Sequence, residues 1–524
     1  MFFGVGWALT SLVALNYLQS MIFPQTVVSW TYFLTTFIGH YGVILSLVYF
    51  LIYCPVVLIF PSYYISKIWS SLLIVSLNLL LFFDSYLFIR YRFHLNSFLW
   101  NFLSDQEALR NFGLTTFKLI IIGFITFIAF YILWFRGEKI WRNMQGHFRN
   151  PVKNWYLFLI FICFITSQLM HMYGDAKGAR YITRLSVLFP LNSPLVDKVV
   201  LEQNGLVGSP ITEKHKKYKD LFYPAKSLDC SMKQSKNILM IVLDKLSENE
   251  LNNDLLPYIY HLTSHGLLFE NHYSGGLNKD DGYFSLLYSL PPTYSESVIN
   301  QSAEPVVLAQ FKKAKFDASF FQTGGKSPLT KFLPNEKEIM ADYIESTLVE
   351  RNELSKTDPF FMNVFLGSGT LTEKDIQVKI IIDLFTKHKQ INNTIVILTA
   401  AFSDEIKTPL IMIRPDIRPD RISKLTSHYD VLPSIMIEDW KCKNVASEIG
   451  FGKNIFSPQK SEIHVAGNKQ NLKILDFKAQ AVTTIDYQQR MEVKKLGSTT
   501  SLDNKGDMVS ILNVLQKLTS FYKQ

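Results

Sequence analysis

Five long apolar stretches in the first third of the chain limit its fold more than any other feature. Each is close to the ~20 residues that an α-helix needs to cross a hydrocarbon core about 30 Å thick. The sequence therefore predicts five transmembrane helices, and a cleaved signal peptide is a poor alternative for the first, which lacks a basic start and a small-residue cleavage site. The stretches are Phe2–Phe23, Tyr41–Tyr64, Ile68–Ile89, Leu119–Phe135 and Trp155–Met172.

The cations between these stretches predict the orientation in the membrane. Lys67 follows the second stretch, residues 136–154 carry several Lys and Arg side chains, and residues 24–40 carry none. By the positive-inside rule, the N-terminus and the two cationic loops face the cytoplasm. Five crossings then place everything after Met172 outside, which is the periplasm if the membrane is a bacterial inner membrane.

Composition indicates a protein that is partly in lipid and partly in water. The 524 residues are 48% hydrophobic and include 41 Phe, and the mean hydropathy is +0.13, which is high for a soluble protein and low for one wholly embedded in lipid. The net charge is +9. A nucleic-acid partner would need a basic face on a cytosolic module, so an anionic lipid surface is the better interpretation, with an ordinary solvated outer face as the alternative.

The chain divides into three predicted segments. Residues 1–173 form the membrane bundle, 174–236 a juxtamembrane connector, and 237–524 a folded outer domain. Cys230 and Cys442 lie in the exported part, where an oxidising compartment would allow them to pair, although sequence does not give their geometry.

The connector is predicted to meet the lipid headgroups. Lys177, Arg180 and Arg184 directly follow the last apolar stretch, and Lys198 lies in a short amphipathic segment after an apolar run. Cations at headgroup level beside apolar side chains suit the phosphates and acyl chains of an anionic lipid. Ordinary snorkelling of basic side chains at a helix end is the alternative.

The outer domain has the alternation of an α/β fold with a mostly parallel sheet. "NILMIVLD", residues 237–244, is an apolar run that ends in an acid, as buried parallel strands do. "LLFENHYS", "FDASFFQTGG", "DPFFMNVFLGSG", "NNTIVILTAAF" and "TPLIMIRP" are further predicted strands. Ligands of such sheets bind beyond the carboxyl ends of the strands.

The order of these motifs resembles the sulfatase and alkaline-phosphatase superfamily. The matching segments are "NILMIVLD", "NKDDGYFSLLYSLPPTYSESV", "NNTIVILTA", "HYDVLPSIM" and "GKNIF". Joined to five N-terminal spans, they resemble the YejM/PbgA family of Gram-negative inner-membrane proteins. Active members of the superfamily transfer phosphoryl or sulfuryl groups through a metal-bound nucleophile, whose pKa the metal lowers.

Against that pattern, most of the catalytic set is missing here. The first strand keeps Asp244 but is followed by Lys245, and the nucleophile position falls on Asn278 or Lys279. Where active members have an Asp-His pair, this chain reads "AFSDEIKTP", with acids only at Asp404 and Glu405. Ser274 and Ser285 lie away from the nucleophile position, and His272 and His428 are interpreted as structural. The sequence predicts a vestigial pocket with no catalytic residue, no metal and no cofactor.

The resemblance implies a catalytically silent membrane protein that senses periplasmic lipopolysaccharide through lipid A. It also implies control of lipopolysaccharide synthesis through the LapB adaptor of the FtsH protease. Lys198 precedes Val199, where this family shows a basic pair, so lipid A recognition could differ. A metal-dependent lipid-headgroup transferase or sulfatase-type hydrolase is the alternative, and a purely structural envelope protein is a third hypothesis.

Overall fold

A computed structural model describes most of the chain. The described residues are 2–91 without 22, 23 and 25; 94–95, 121, 124–136, 139, 155–176, 182, 185–192, 221, 223–224, 228–231 and 236–521, the last range with gaps at 315, 324–336, 339–340, 355–357, 444–448, 459–461, 469–470, 487–490, 499–507 and 520. They fall into two compact units, residues 1–214 and 215–523.

The membrane unit is helical, as expected, but its second helix begins earlier than predicted. Its helices are α1 (Phe2–Ala14, continued as a 3₁₀ turn over Leu15–Ser20), α2 (Val27–Val48), α3 (Cys54–Ile59), α4 (Tyr63–Tyr91), α5 (Phe124–Arg136) and α6 (Trp155–Ala176). Among the described residues, Val27–Ile59, Tyr63–Tyr91 and Leu157–Gly174 are long and apolar enough to span a membrane. The count of five spans stays a prediction.

The start of α2 overturns part of the sequence interpretation. Residues 27–40 belong to this helix and are not a loop. The Thr26 side chain accepts a hydrogen bond from the Ser29 amide, and the Ser29 hydroxyl accepts one from the Thr26 amide, which makes a capping box. Thr31 and Thr36 then hydrogen-bond to carbonyls four residues back, which hides their hydroxyls from lipid. Lys67 likewise lies inside α4. Two of the loops used to predict the orientation are therefore only short turns.

The span Val27–Ile59 changes from α-helix to π-helix just before a proline. Tyr49–Tyr53 form a π-helical turn between α2 and α3, directly before Pro55 at the start of α3. Proline lacks an amide donor and its ring crowds the preceding turn, so the helix widens there instead of ending.

Close packing of α2 against α6 depends on two glycines. A Cβ atom on Gly39 would lie 2.5 Å from the Phe164 amide nitrogen, and one on Gly42 would lie 2.5 Å from the Ile160 side chain. In lipid, where the hydrophobic effect does not drive helices together, small residues let backbones approach and gain dispersion contacts.

The outer unit contains the expected, mostly parallel sheet. Its order is β4-β3-β5-β1-β6-β7-β2-β8, and all pairings except those of β7 are parallel. The strands are β1 (Asn237–Lys245), β2 (Leu267–Tyr273), β3 (Asp317–Thr323), β4 (Lys337–Glu338), β5 (Phe360–Leu366), β6 (Thr394–Phe402), β7 (Leu410–Ile413) and β8 (Asp420–Ser427).

Helices cover both faces of this sheet, because side chains alternate along each strand. On β5, Met362 and Val364 belong to the core shared with Val378, whereas Phe361 and Phe365 contact aromatic rings on the other face. The helices are α7 (Pro257–Leu262), α8 (Lys279–Tyr288), α9 (Ser295–Gln301), α10 (Val306–Ala314), α11 (Ala341–Glu353), α12 (Leu371–Lys387) and α13 (His428–Glu438).

A second, antiparallel sheet follows, which the sequence analysis did not predict. It has the order β12-β11-β10-β9, and a final helix, α14 (Met508–Thr519), comes after it. Its strands are β9 (Ile463–Gly467), β10 (Asn471–Asp476), β11 (Ala481–Asp486) and β12 (Met491–Lys495). β9 meets the loop after β2 through a bridge between Gly467 and Gly276, so this sheet supports the predicted site loop.

The structure pairs Cys230 with Cys442 in a disulfide across 212 positions of sequence. Lys443 adds an exposed ion pair with Asp229 at 2.8 Å, so two neighbouring links join the start of the outer unit to the segment after α13. Cys54 and Cys163, which lie in the membrane helices, are free.

Candidate functional site

The Asp244 carboxylate, which the resemblance assigns to a metal ion, pairs with a lysine of the protein itself. Asp244 lies at the carboxyl end of β1, between β5 and β6. Its Oδ1 accepts a hydrogen bond from Lys374 Nζ at 2.7 Å, and the Lys374 side chain is only 6% exposed. The backbone amide of Lys245 donates a second hydrogen bond to the same oxygen at 2.6 Å. The Asp244 charge is thus neutralised within the fold.

The helix start after β5 positions Lys374. The Thr370 hydroxyl accepts a hydrogen bond from the Glu373 amide, and the Glu373 carboxylate accepts one from the Thr370 amide, which starts α12 beside the end of the sheet. Lys374 is the fourth residue of that helix and is buried, whereas Lys379, one and a half turns later, is exposed. Lys374 is not among the predicted site residues, because a lysine near a helix start normally indicates a solvated face.

The two other acids of the predicted pocket face water. Lys245 Nζ lies 2.7 Å from Asp404 Oδ2, and the two side chains are 44% and 75% exposed. The hydrogen bond that Lys245 donates to Asp404 raises the pKa of Lys245, which keeps an ammonium beside the pocket. Glu405 is exposed in the turn after β6. The structure therefore brings Asp244, Lys245 and Asp404 to one edge of the sheet, but as cation–carboxylate pairs.

Asn278, at the predicted nucleophile position, caps a helix. Its Oδ1 accepts a hydrogen bond from the Asp281 amide at 2.9 Å, and its Nδ2 donates to the Asp281 carboxylate at 2.6 Å. Both groups of the amide side chain are thereby used to start α8. Lys279 is exposed as the first residue of that helix.

The segment from Ser274 to Ser285, which includes the first turns of α8, is tightly packed. A Cβ atom on Gly282 would lie 1.7 Å from the Ala401 carbonyl oxygen, so no other residue fits there without a backbone shift. Ser274 Oγ donates to the same carbonyl at 2.7 Å, and Ser285 Oγ donates to the Gly282 carbonyl at 2.6 Å. Both hydroxyls are buried and serve the backbone, so neither is presented as a nucleophile.

Two buried histidines, on α13 and β9, hold this segment, and a third, on β2, contacts β8. His428 Nδ1 donates to the Gly282 carbonyl at 3.1 Å, His464 Nε2 donates to the Ser274 carbonyl at 2.7 Å, and His272 contacts Thr426 at 3.0 Å. Burial lowers the pKa of His428 to about 3 and that of His464 to about 4, and it lowers the pKa of His272 well below its ordinary value. Neutral imidazoles therefore act here as structural hydrogen-bond donors.

The residues present do not fit the divalent metal that the superfamily pattern implies. An ammonium already pairs with Asp244, and a second ammonium lies at the neighbouring residue; both would repel a dication. Within the described part of the chain, no group of three or more His, Cys, Asp or Glu side chains is arranged to hold a metal ion. A hard dication needs several oxygen or imidazole ligands around one point.

The predicted lipid-binding cations cannot be placed by the structure. Lys177, Arg180, Arg184 and Lys198 all lie outside the described residues. A part of the connector between them, residues 185–192, is described and packs on the membrane helices.

A cavity of about 190 Å³ in the outer unit lies apart from the predicted pocket residues. It is bordered by Asp430, His464 and Lys517, among other side chains. Burial lowers the pKa of Lys517 to about 8, and the Asp430 carboxylate accepts hydrogen bonds from Ser427 in the cap of α13. The charged groups of this cavity therefore hold structural contacts.

Known proteins resemble this chain over both of its units. Residues 1–230 match a family described as a domain of unknown function, DUF3413. The inner membrane protein YejM of Salmonella typhi is 22% identical over 98% of this chain and 95% of its own length. An uncharacterized protein of Haemophilus influenzae is 23% identical over 85% of this chain and 82% of its own length.

Solved structures resemble the outer unit at low identity. A protein in the alkaline phosphatase superfamily from Vibrio parahaemolyticus is 15% identical with a TM-score of 0.47, covering 60% of this chain and 95% of that one. The lipoteichoic acid synthase LtaP from Listeria monocytogenes is 11% identical with a TM-score of 0.45, covering 56% of this chain and 94% of that one.

Proposed function

We propose that this chain is a catalytically silent receptor for lipopolysaccharide. The premise is its similarity to the YejM inner membrane proteins over 98% of its length. The protein is a membrane protein with a sulfatase-like outer domain. In the proposal, its N-terminus faces the cytoplasm, its outer domain lies in the periplasm, and its connector binds lipid A. The bundle would pass the signal to the machinery of lipopolysaccharide synthesis, with the LapB adaptor of the FtsH protease as the proposed partner.

The observation that carries the silent part of this proposal is the pair of Lys374 and Asp244. A buried ammonium at 2.7 Å from the carboxylate supplies the charge that a metal ion would otherwise supply. The Ser274 and Ser285 hydroxyls donate to backbone carbonyls, and the imidazole 3.2 Å from Ser285, that of His428, is a weak base because burial lowers its pKa to about 3. Burial of this pair also makes exchange for a solvated cation costly, because the displaced ammonium would lose its partner.

The lipid part of the proposal rests on the sequence of the connector. Four cations flank an apolar segment directly after α6, the last apolar helix. Lipid A presents phosphates beside acyl chains, so it would satisfy both the charges and the apolar side chains of this segment.

Metal content and hydrolysis test the silent part. We expect the purified full chain to hold no stoichiometric zinc, manganese, magnesium or calcium and to leave phosphate and sulfate esters uncleaved. An Asp244→Asn variant serves as the matched control. Stoichiometric metal and turnover in the wild-type chain, both lost in Asp244→Asn, would establish the metal-dependent hydrolase or transferase instead.

Binding to lipid A in nanodiscs tests the receptor part. We expect Lys177→Ala, Arg180→Ala and Lys198→Ala together to weaken binding by at least tenfold. The control removes equal charge from exposed positions of the outer unit with Lys387→Ala, Arg421→Ala and Lys495→Ala, and it should retain wild-type affinity. Equal affinity of the connector variant and the wild type would reject the proposed site.

A further inference from the structure

One acid lies inside a membrane helix and is surrounded by hydrogen-bond donors. Asp84 is on α4, about 10 Å before its C-terminal end at the ordinary helical rise. The hydroxyl of Tyr17 donates to Asp84 Oδ2 at 2.5 Å, His94 Nδ1 contacts the same oxygen at 2.7 Å, and the Leu95 amide donates to Oδ1. An ionisable side chain in a membrane helix is costly unless it has such partners, so its presence indicates a role.

One partner of Asp84, His94, also holds the connector, and so does a second histidine, His40. The second ring nitrogen of His94, Nε2, contacts the Val187 carbonyl at 2.8 Å. From α2, His40 Nε2 contacts the Pro190 carbonyl at 2.7 Å. Each is a long-range hydrogen bond from an imidazole to the main chain, which fixes the backbone of residues 187–190 whatever their side chains are.

Apolar packing accompanies these bonds. Leu185, Leu188 and Phe189 are buried in one core with Tyr17 and Tyr41. The Phe189 ring lies 6.0 Å from that of Tyr41 and 5.8 Å from that of His40, and the His94 ring stacks on Phe88 at 4.3 Å. Residues 185–190 therefore contact α1, α2 and α4 together.

The sequence places the proposed lipid-binding cations on both sides of this anchored segment. Arg184 directly precedes it, Arg180 and Lys177 lie within eight positions, and Lys198 follows it by eight. A ligand that draws those cations toward its phosphates must act on a segment whose carbonyls are held by two histidines. The coupling thus has a contiguous physical path, from the connector through His94 and Asp84 to the helices.

We propose that Tyr17, Asp84, His94 and His40 form a joint that holds residues 185–190 in the position for lipid recognition and couples them to α1, α2 and α4. These are positioning residues, since they act on the connector through the hydrogen bonds of His94 and His40 to its main chain. The inference deepens the proposed function and rests on it for the identity of the ligand. The joint itself rests on the hydrogen bonds above.

Hydrogen exchange of the full chain tests the joint directly. The amides of Leu188, Phe189 and Asn192 donate hydrogen bonds to carbonyls of residues 185–189. Their exchange is measured in nanodiscs of phosphatidylethanolamine and phosphatidylglycerol. We expect Asp84→Asn, and the double variant Tyr17→Phe with His94→Ala, to exchange them at least tenfold faster than the wild type. Tyr131→Phe, at an exposed position of α5, is the control. Wild-type exchange rates in both joint variants would overturn the inference, and Tyr17→Phe alone provides a milder variant if either fails to fold.

Adding lipid A to the same nanodiscs separates the two proposals. We expect at least a fivefold loss of lipid A affinity in the joint variants with their connector cations intact. Faster exchange together with unchanged affinity would overturn the coupling. Absence of lipid A binding by the wild type would instead reject the proposed receptor function, and the exchange result would still decide whether the joint exists.

Discussion

The two units of this protein treat a carboxylate in opposite ways. In the outer unit, Asp244 is neutralised by the ammonium of Lys374. In the membrane unit, Asp84 is held by a tyrosine, an imidazole and an amide. In the first arrangement, the lysine neutralises a carboxylate that could otherwise attract a cationic ligand. In the second, the carboxylate accepts hydrogen bonds that hold neighbouring segments together. The comparison teaches that an acid at the carboxyl end of a strand is weaker evidence of a ligand site when a buried lysine already pairs with it.

Acid should destabilise the outer unit strongly, because its loop is held by neutral histidines. The folded-state pKa values of His428 and His464, about 3 and about 4, lie below the ordinary value near 6.5, so the folded unit binds fewer protons than the unfolded chain. Stability is therefore fully present above pH 6.5 and falls below it, by about 1.4 kcal/mol per pH unit for each histidine. Pulse proteolysis in urea between pH 7.5 and 4.5 measures this.

A control for that measurement is His265→Gln, since His265 is exposed. This variant should keep the full pH slope. A pH-independent midpoint of the outer unit between pH 6.5 and 4.5 would show that the buried rings can take up protons without opening the loop.

Replacing Lys374 sharpens the comparison of the two acids. Lys374→Met leaves Asp244 without its cation and should lower the free energy of unfolding of the outer unit by about 3 kcal/mol. The double variant with Asp244→Leu should recover most of this loss, because an apolar pair replaces a buried ion pair. Lys379→Met, exposed on the same helix, is the matched control. The same urea assay applies, and purely additive losses in the double variant would mean that the two side chains do not interact.

The smallest effect is expected at the exposed pair of the same pocket. Lys245 and Asp404 approach to 2.7 Å but lie largely in water, where solvent screens the attraction and holding long side chains costs entropy. Asp404→Ala should leave the unfolding midpoint unchanged within error. A clear drop in the midpoint would show that this pair, and not only Lys374, closes the pocket.

The strand that carries Asp244 could be predicted from the sequence because its signal is local. An apolar run that ends in an acid is a feature of one short segment, and the structure places Asp244 at the carboxyl end of β1. The predicted start of the second span, Tyr41, is wrong for an equally local reason, because the helix begins at Val27. Thr and Ser hydroxyls that bond to carbonyls one turn back are compatible with a membrane helix.

By itself the sequence determined the apolar helices and the α/β character of the outer unit, because hydropathy and side-chain period are written along the chain. Only the tertiary structure decided that Lys374 meets Asp244 across 130 positions, that Cys230 meets Cys442, and that His94 joins Asp84 to Val187. The physical reason is that burial and pairing of charges depend on which distant segments share a low-dielectric space. Such proximity is a property of the packed fold and leaves no periodic signal in any one segment.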